Sequence, residues 1–203
     1  MRLLRNMIRI GTVNAVDLER GLCRVDTGGN LTDWLNWISF RAGRTRIWSA
    51  PSVGEQVLVF ALGGELDTAF VLCGIYSDDF PAPSVSADAL HIQFPDGAVL
   101  EYEPASGALS VTGIKTADVQ ASESITASTK VVIVKAAENI TLDTPEVICT
   151  NKLTTGTLEV KKGGTMTGDI EHSGGSFSSN GVVVDKHLHG GVQTGGGQTG
   201  KPT

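Results

Sequence analysis

The sequence predicts an all-β protein. A small N-terminal barrel of short strands is followed by a winding β shaft that only further copies of the same chain can complete. Three observations predict it. Large aromatic residues crowd the first part: Trp34, Trp37, Phe40, Trp48, Phe60, Phe70, Tyr76 and Phe80 precede residue 85, and only Phe94, Tyr102 and Phe177 follow. Short runs of Val, Leu and Ile recur between glycine turns. From about residue 105 to 185 the helix period is absent, and Thr, Ser, Ala and Val dominate.

The N-terminal strands are GTVNAVD, LCRVDT, QVLVFAL and AFVLCGIY, separated by turn signals at Thr27-Gly28-Gly29, Pro51 with Gly54, and Gly63-Gly64. Several strands at this spacing over roughly 75 residues predict a small closed barrel of the OB type. Aromatic side chains supply much of a small domain's buried area, so this part is expected to build its own core. PAPSVSA, residues 81–87, reads as a linker. After it, Leu90, Ile92 and Phe94 alternate, Pro95-Asp96-Gly97 turns, and Leu100 and Tyr102 alternate again, which is a hairpin signature.

The shaft is expected to be a series of very short strands: ALSVTGI, SITAS, KVVIVKA, NITLDT, EVICT, TLEVKK and DIEHS. Their spacing of roughly 8–10 residues is close to that of a winding β structure. A single chain of this kind exposes long unpaired edges and buries little apolar surface. Three chains wound about one axis pair each edge with a neighbour and cover the thin stripe of Val, Ile and Leu. An ordinary β-sandwich or a monomeric β-helix is the alternative.

Bulk composition narrows the function. The formal net charge is -6 and the pI about 5.2, which argues against binding a phosphate backbone. Basic residues cluster at Arg2, Arg5 and Arg9 and again at Arg41, Arg44 and Arg46; a face that meets a partner protein is the expectation. Cys23, Cys73 and Cys149 form no CxxC pair and sit in apolar stretches, so buried free thiols are expected. The apolar N-terminus is broken by Arg5 and Arg9 and does not read as a signal peptide. No segment reaches the roughly 18 consecutive apolar residues of a membrane helix. The chain is expected to be made and soluble in a reducing cytoplasm.

The candidate site is at the far end: His187-Leu188-His189, followed by a Gly-rich tail. On an extended strand these two imidazoles point to one face. Two imidazoles cannot complete a metal site, but identical strands closing about an axis can. Three chains would supply six nitrogen donors. Imidazole suits iron, nickel, copper and zinc, while zinc usually takes four ligands, so iron or nickel is favoured. Ligating histidines must be neutral, so such a site weakens as pH falls towards the free imidazole range of about 6.5. Asp185, two positions before His187, is a candidate partner on the same face. His91 is expected to face solvent, and His172 to be a polar face residue of the shaft or an additional ion contact.

The residues so assembled resemble a known family. TDWLNWISFRAGRTRIWSAPSVGEQVLVFALGGELDTAFVLCGIYS resembles the OB domain of the baseplate assembly protein V family, the central spikes of contractile phage tails and R-type tailocins. SADALHIQFPDGAVLEYEPASGALSVTGIKTA resembles that family's lead-in to the spike, LDTPEVICTNKLTTGTLEVKKGGTMTGDIEHSGG its shaft, and the terminal His-x-His with its Gly-rich end its tip. The resemblance implies an OB-fold domain over 1–85 that docks to the baseplate hub, a shaft over 86–180 formed as an intertwined trimeric, triple-stranded β-helix, and a metal-bound tip over 181–203. It implies one iron ion per trimer, held by His187 and His189 of each chain, with calcium and chloride as further ions of the tip or shaft. It also implies a homotrimer in the virion that mechanically punctures the host outer membrane, with no nucleic-acid partner and no catalytic residue. The rivals are a spike-associated cell-wall hydrolase, which lacks a carboxylate pair or a His-Glu-x-x-His here, and a carbohydrate-binding tail fibre, which would carry aromatic residues towards its C-terminal end.

Overall fold

The computed structural model describes residues 6–188, with Gly191 and Gly195. The chain divides into two compact units, one running to Ala127 and the other starting at Ser128. The first holds a closed five-stranded barrel and a separate three-stranded sheet; the second holds a two-stranded hairpin.

The barrel strands are β1 (Ile8–Asp17), β2 (Leu22–Asp26), β3 (Leu35–Trp37), β4 (Gln56–Phe60) and β5 (Phe70–Ile75), in the spatial order β1-β2-β3-β5-β4. Every pairing is antiparallel except β3 with β5, which is parallel through Asn36 opposite Phe70 and Trp37 opposite Val71. This order, closed by β1 against β4, is that of an OB barrel. Four of these strands were legible in the sequence. β3 was not, because three residues carry no alternation and its pairing is non-local.

Strand alternation sends one face inward. On β4, Val57 and Val59 are buried; on β2, Cys23 and Val25; on β5, Val71. With Val13, Leu35, Ala61 and Ala69 they form the core. This corrects the expectation of an aromatic core. Phe40 is 93% exposed, Tyr76 67% and Trp48 64%. A five-stranded barrel has a narrow interior that compact branched side chains fill, so the large rings lie outside it.

One buried polar group sits in the barrel. Thr32 is buried, and its hydroxyl accepts the Val25 N–H at 2.9 Å while donating to the Asp33 carbonyl at 2.8 Å. Its backbone N–H returns a bond to Val25 O, and Arg24 Nε donates to its carbonyl. Thr32→Val leaves the Val25 N–H without that acceptor. We expect a loss of about 1–3 kcal/mol, read as a lower urea midpoint at unchanged slope.

The second sheet is a meander of β6 (Leu90–Gln93), β7 (Val99–Glu103) and β8 (Ala108–Thr112), all antiparallel. Its first half is the hairpin expected from Pro95-Asp96-Gly97. His91 differs from expectation: it is half-buried, and its Nδ1 lies 2.5 Å from Glu101 Oε2, directly across the ladder. The apolar side chains of the opposite face are the exposed ones. Glu103, at the end of β7, is held below the ordinary carboxylate range by the Ala105 N–H and the Ser86 hydroxyl.

Beyond Gly113 the expected short strands do not form within one chain. Residues 113–176 contain no strand and no backbone-to-backbone hydrogen bond. The reason is the absence of an intrachain neighbour, since a strand needs a partner for its N–H and C=O groups. The large apolar residues from Val119 to Ile170 are 56–74% exposed. Cys149 is exposed too, against the expectation of burial, and Cys73 is half-buried; only Cys23 is fully enclosed.

Candidate metal centre at the tip

The described tip is built on a hairpin that the sequence reading missed. β9 (Ser178–Ser179) pairs with β10 (Val182–Val183) across Asn180-Gly181. Both turn residues have positive φ, 48° and 81°. Asn-Gly is the preferred pair for such a two-residue turn, and that dipeptide was the signal available. Val184 N donates to Phe177 O at 2.8 Å and extends the hairpin by one rung. His172 makes a tilted ring contact with Phe177, at 6.1 Å between centroids.

After Val183 the chain turns, with Lys186 N donating to Val183 O at 3.3 Å. This turn breaks the strand alternation that put Asp185 on the same face as His187. Asp185 is exposed within the turn, and its grouping with His187 is not supported. His187 follows directly. Its Nδ1 lies 2.8 Å from the Val184 carbonyl oxygen, and because a carbonyl only accepts, Nδ1–H is the donor. In the neutral ring the lone pair then belongs to Nε2, and a backbone carbonyl on the other nitrogen is the usual support of a metal-ligating histidine. His187 therefore fits a metal-ligating role. His189 lies outside the described residues. Among the described residues no group of three or more His, Cys, Asp or Glu sits together as a ready cation site.

Hollows also open on the barrel. One cavity of about 290 Å³ is lined by Trp37, Phe40, Ile47, Glu55, Leu72 and Cys73 among others. A neighbouring one of about 400 Å³ shares Trp37 and Ile47 and adds Arg41, Arg46 and Trp48. Trp37 and Trp48 meet edge to face, with centroids 5.3 Å apart. Glu55 is already engaged, accepting the Ser52 and Gly74 N–H groups on its two oxygens. Burial, reinforced by Glu55, pushes the Cys23 thiol up to about 11. Burial, then Glu55 and Cys23, push Cys73 up to about 12. Raised values keep both thiols protonated at neutral pH, which is the reverse of what a nucleophile or a metal-binding thiolate needs.

Comparison with known proteins agrees with this layout. Residues 9–76 match the type VI secretion system/phage-baseplate injector OB domain, residues 128–180 the phage spike trimer, and residues 181–203 the GpV apex motif. The spike protein of Escherichia phage P2 is 67% identical over 201 residues, covering 99% of this chain and 94% of that protein. The chain therefore belongs to the phage baseplate spike (GpV) family, with a closed five-stranded barrel as its OB domain.

Proposed function

We propose that this spike is a homotrimer that pierces the host outer membrane, acting mechanically and without turnover. The observation that carries the reading is the bare shaft. Residues 113–176 make no backbone-to-backbone hydrogen bond among the described residues, and the apolar side chains from Val119 to Ile170 are more than half exposed. A soluble chain does not leave such a stripe in water unless other chains cover it. Winding three copies about an axis supplies both the missing backbone partners and the missing cover, and the match to a phage spike trimer supports that number.

In this reading the barrel, residues 1–85, docks to the baseplate hub, and residues 86–180 form the trimeric shaft, a triple-stranded β-helix beyond the β6–β8 meander. Residues 181–203 form the point. Continuous interchain hydrogen bonding lets the shaft carry axial load from the contracting tail to a small area of membrane. The chain ends are where fraying starts, and there each chain brings His187 and His189. Bound iron would tie the three ends together as a structural crosslink. His187 holds its ring through the Val184 carbonyl, so the imidazole is oriented before the chains meet. Calcium and chloride are further ions proposed for the tip or shaft. A non-catalytic role is supported by the structural name of the P2 relative.

Native mass spectrometry with elemental analysis tests this. Three chains and one transition-metal ion per particle are expected. A monomeric particle overturns the trimer, and a metal-free trimer overturns the tip.

A further inference from the structure

Between β3 and β4 the chain leaves the barrel as a loop, and the loop joins exposed aromatic rings to a cluster of like charges. Phe40 is 93% exposed and Trp48 64%. Arg41, Arg44 and Arg46 lie between them and are exposed as well. The loop is nonetheless held in shape. Ala42 bridges Arg46, Ile47 N donates to Arg41 O at 3.0 Å, and the Ser39 hydroxyl donates to Ile47 O at 2.7 Å. Trp48 meets Trp37 edge to face, and Trp37 packs on the barrel core. The three arginines therefore stand on a small hairpin clamped to the barrel. Among the described residues none of their guanidinium groups takes part in an ion pair. In a chain of net charge -6 this is a local reversal of sign. The two barrel cavities open beside the same hairpin. Phe40, Ile47 and Leu72 line one, and Arg41, Arg46 and Trp48 line the other.

We propose that this hairpin binds an acidic segment of another protein, one that presents an apolar side chain flanked by carboxylates. This rests on the docking of the barrel to the baseplate hub proposed above, and names the face that docks and the chemistry it selects. Aromatic residues and arginine are the side chains that most often dominate interface energetics, above all where a pocket adjoins them. Here the apolar side chain enters the cavity beside Phe40 and Ile47, and the carboxylates next to it in sequence meet Arg41, Arg44 and Arg46. The bonds within the hairpin are made before the partner arrives, so little of the binding energy is lost to ordering the loop. Unpaired cations on an otherwise acidic chain also orient the encounter, since the rest of the surface repels the same partner. Charge excludes the two other occupants. A second copy seated by the same loop would set its arginines against these. A nucleic-acid strand would run on past three arginines over a chain of net charge -6, and an apolar cavity offers nothing to a phosphate.

Complementation of spike-deficient tails with full-length variants is the test, read as spike per purified tail. Phe40→Ser and the triple change Arg41→Glu, Arg44→Glu and Arg46→Glu are compared with Leu62→Ser, an exposed apolar position beyond the far end of β4. All these side chains are exposed, and an unchanged denaturant midpoint shows that the barrel is intact. Each loop variant should lower incorporation about tenfold, and Leu62→Ser should leave it unchanged. A photoreactive phenylalanine analogue at position 40 should crosslink, in assembled tails, to an Asp- and Glu-rich segment of another tail protein. Normal incorporation of both loop variants, with crosslinks from position 62 instead of 40, would overturn this face while leaving the barrel docked. Crosslinks from neither position to any tail protein would overturn the docking itself. A crosslink from position 40 to a second copy of this chain would overturn the acidic protein partner. So would retention of a single-stranded oligonucleotide that the arginine variant loses.

Discussion

Replacing both His187 and His189 by alanine is expected to remove all transition metal from the trimer, from one ion per particle to none. Elemental analysis checks it directly. The effect should be large because the site would exist only in the assembled state, so its binding free energy adds to assembly. Structural metal sites in small domains contribute on the order of 10 kcal/mol at neutral pH. The change should stay local. The barrel has its own core of Val13, Cys23, Val25, Val57, Val59 and Val71, so its unfolding midpoint should not move. Metal retained by the double variant would mean that other residues hold it. Loss of the barrel along with the metal would mean that the histidines do more than clamp the ends.

Gly11→Val is expected to be the most damaging single change in the barrel. Gly11 lies in β1, paired with Val57 of β4. A Cβ at this position would run into Val25 Cγ1 and stand 2.7 Å from Asp26 O, both of β2. The side chain of Val25 is fully buried and the carbonyl belongs to the backbone, so neither has room to move. Overpacking a tight core costs roughly 1–3 kcal/mol for small additions, and Val adds two methyl groups beyond the Cβ. Against a total stability of about 5–15 kcal/mol, this is enough to leave much of the barrel unfolded. Gly11→Ala should lie between the two, and denaturant midpoints of the three proteins give the order. A Val variant as stable as the parent would show that β1 and β2 separate more easily than their packing implies.

How much of this was legible depended on whether a feature was local. β1, β2, β4 and β5 announce themselves through Val-rich runs ended by glycine turns, and the β6–β7 hairpin through alternation around Pro95-Asp96-Gly97. β3 has only Leu35, Asn36 and Trp37, and its decisive contact is with β5, more than thirty residues later. No local pattern encodes that. The tip shows the same division. His187-Leu188-His189 was visible as a candidate pair from spacing alone. That Asp185 and His187 do not share a strand follows from a turn after Val183, and the support of His187 by the Val184 carbonyl follows from the same turn.

The sequence by itself determined the all-β class, the OB barrel, the change of character after the linker and the identity of the candidate ligands. Those follow from composition and short-range pattern, which act within a few residues. Only the tertiary structure decided that the barrel is filled by valines with its aromatic rings outside. It also decided that the meander turns an uncharged apolar face to solvent and that the shaft finds no backbone-to-backbone partner among the described residues. These depend on how wide a closed barrel is and on which strand stands next to which, and both are settled by contacts between residues far apart in the chain.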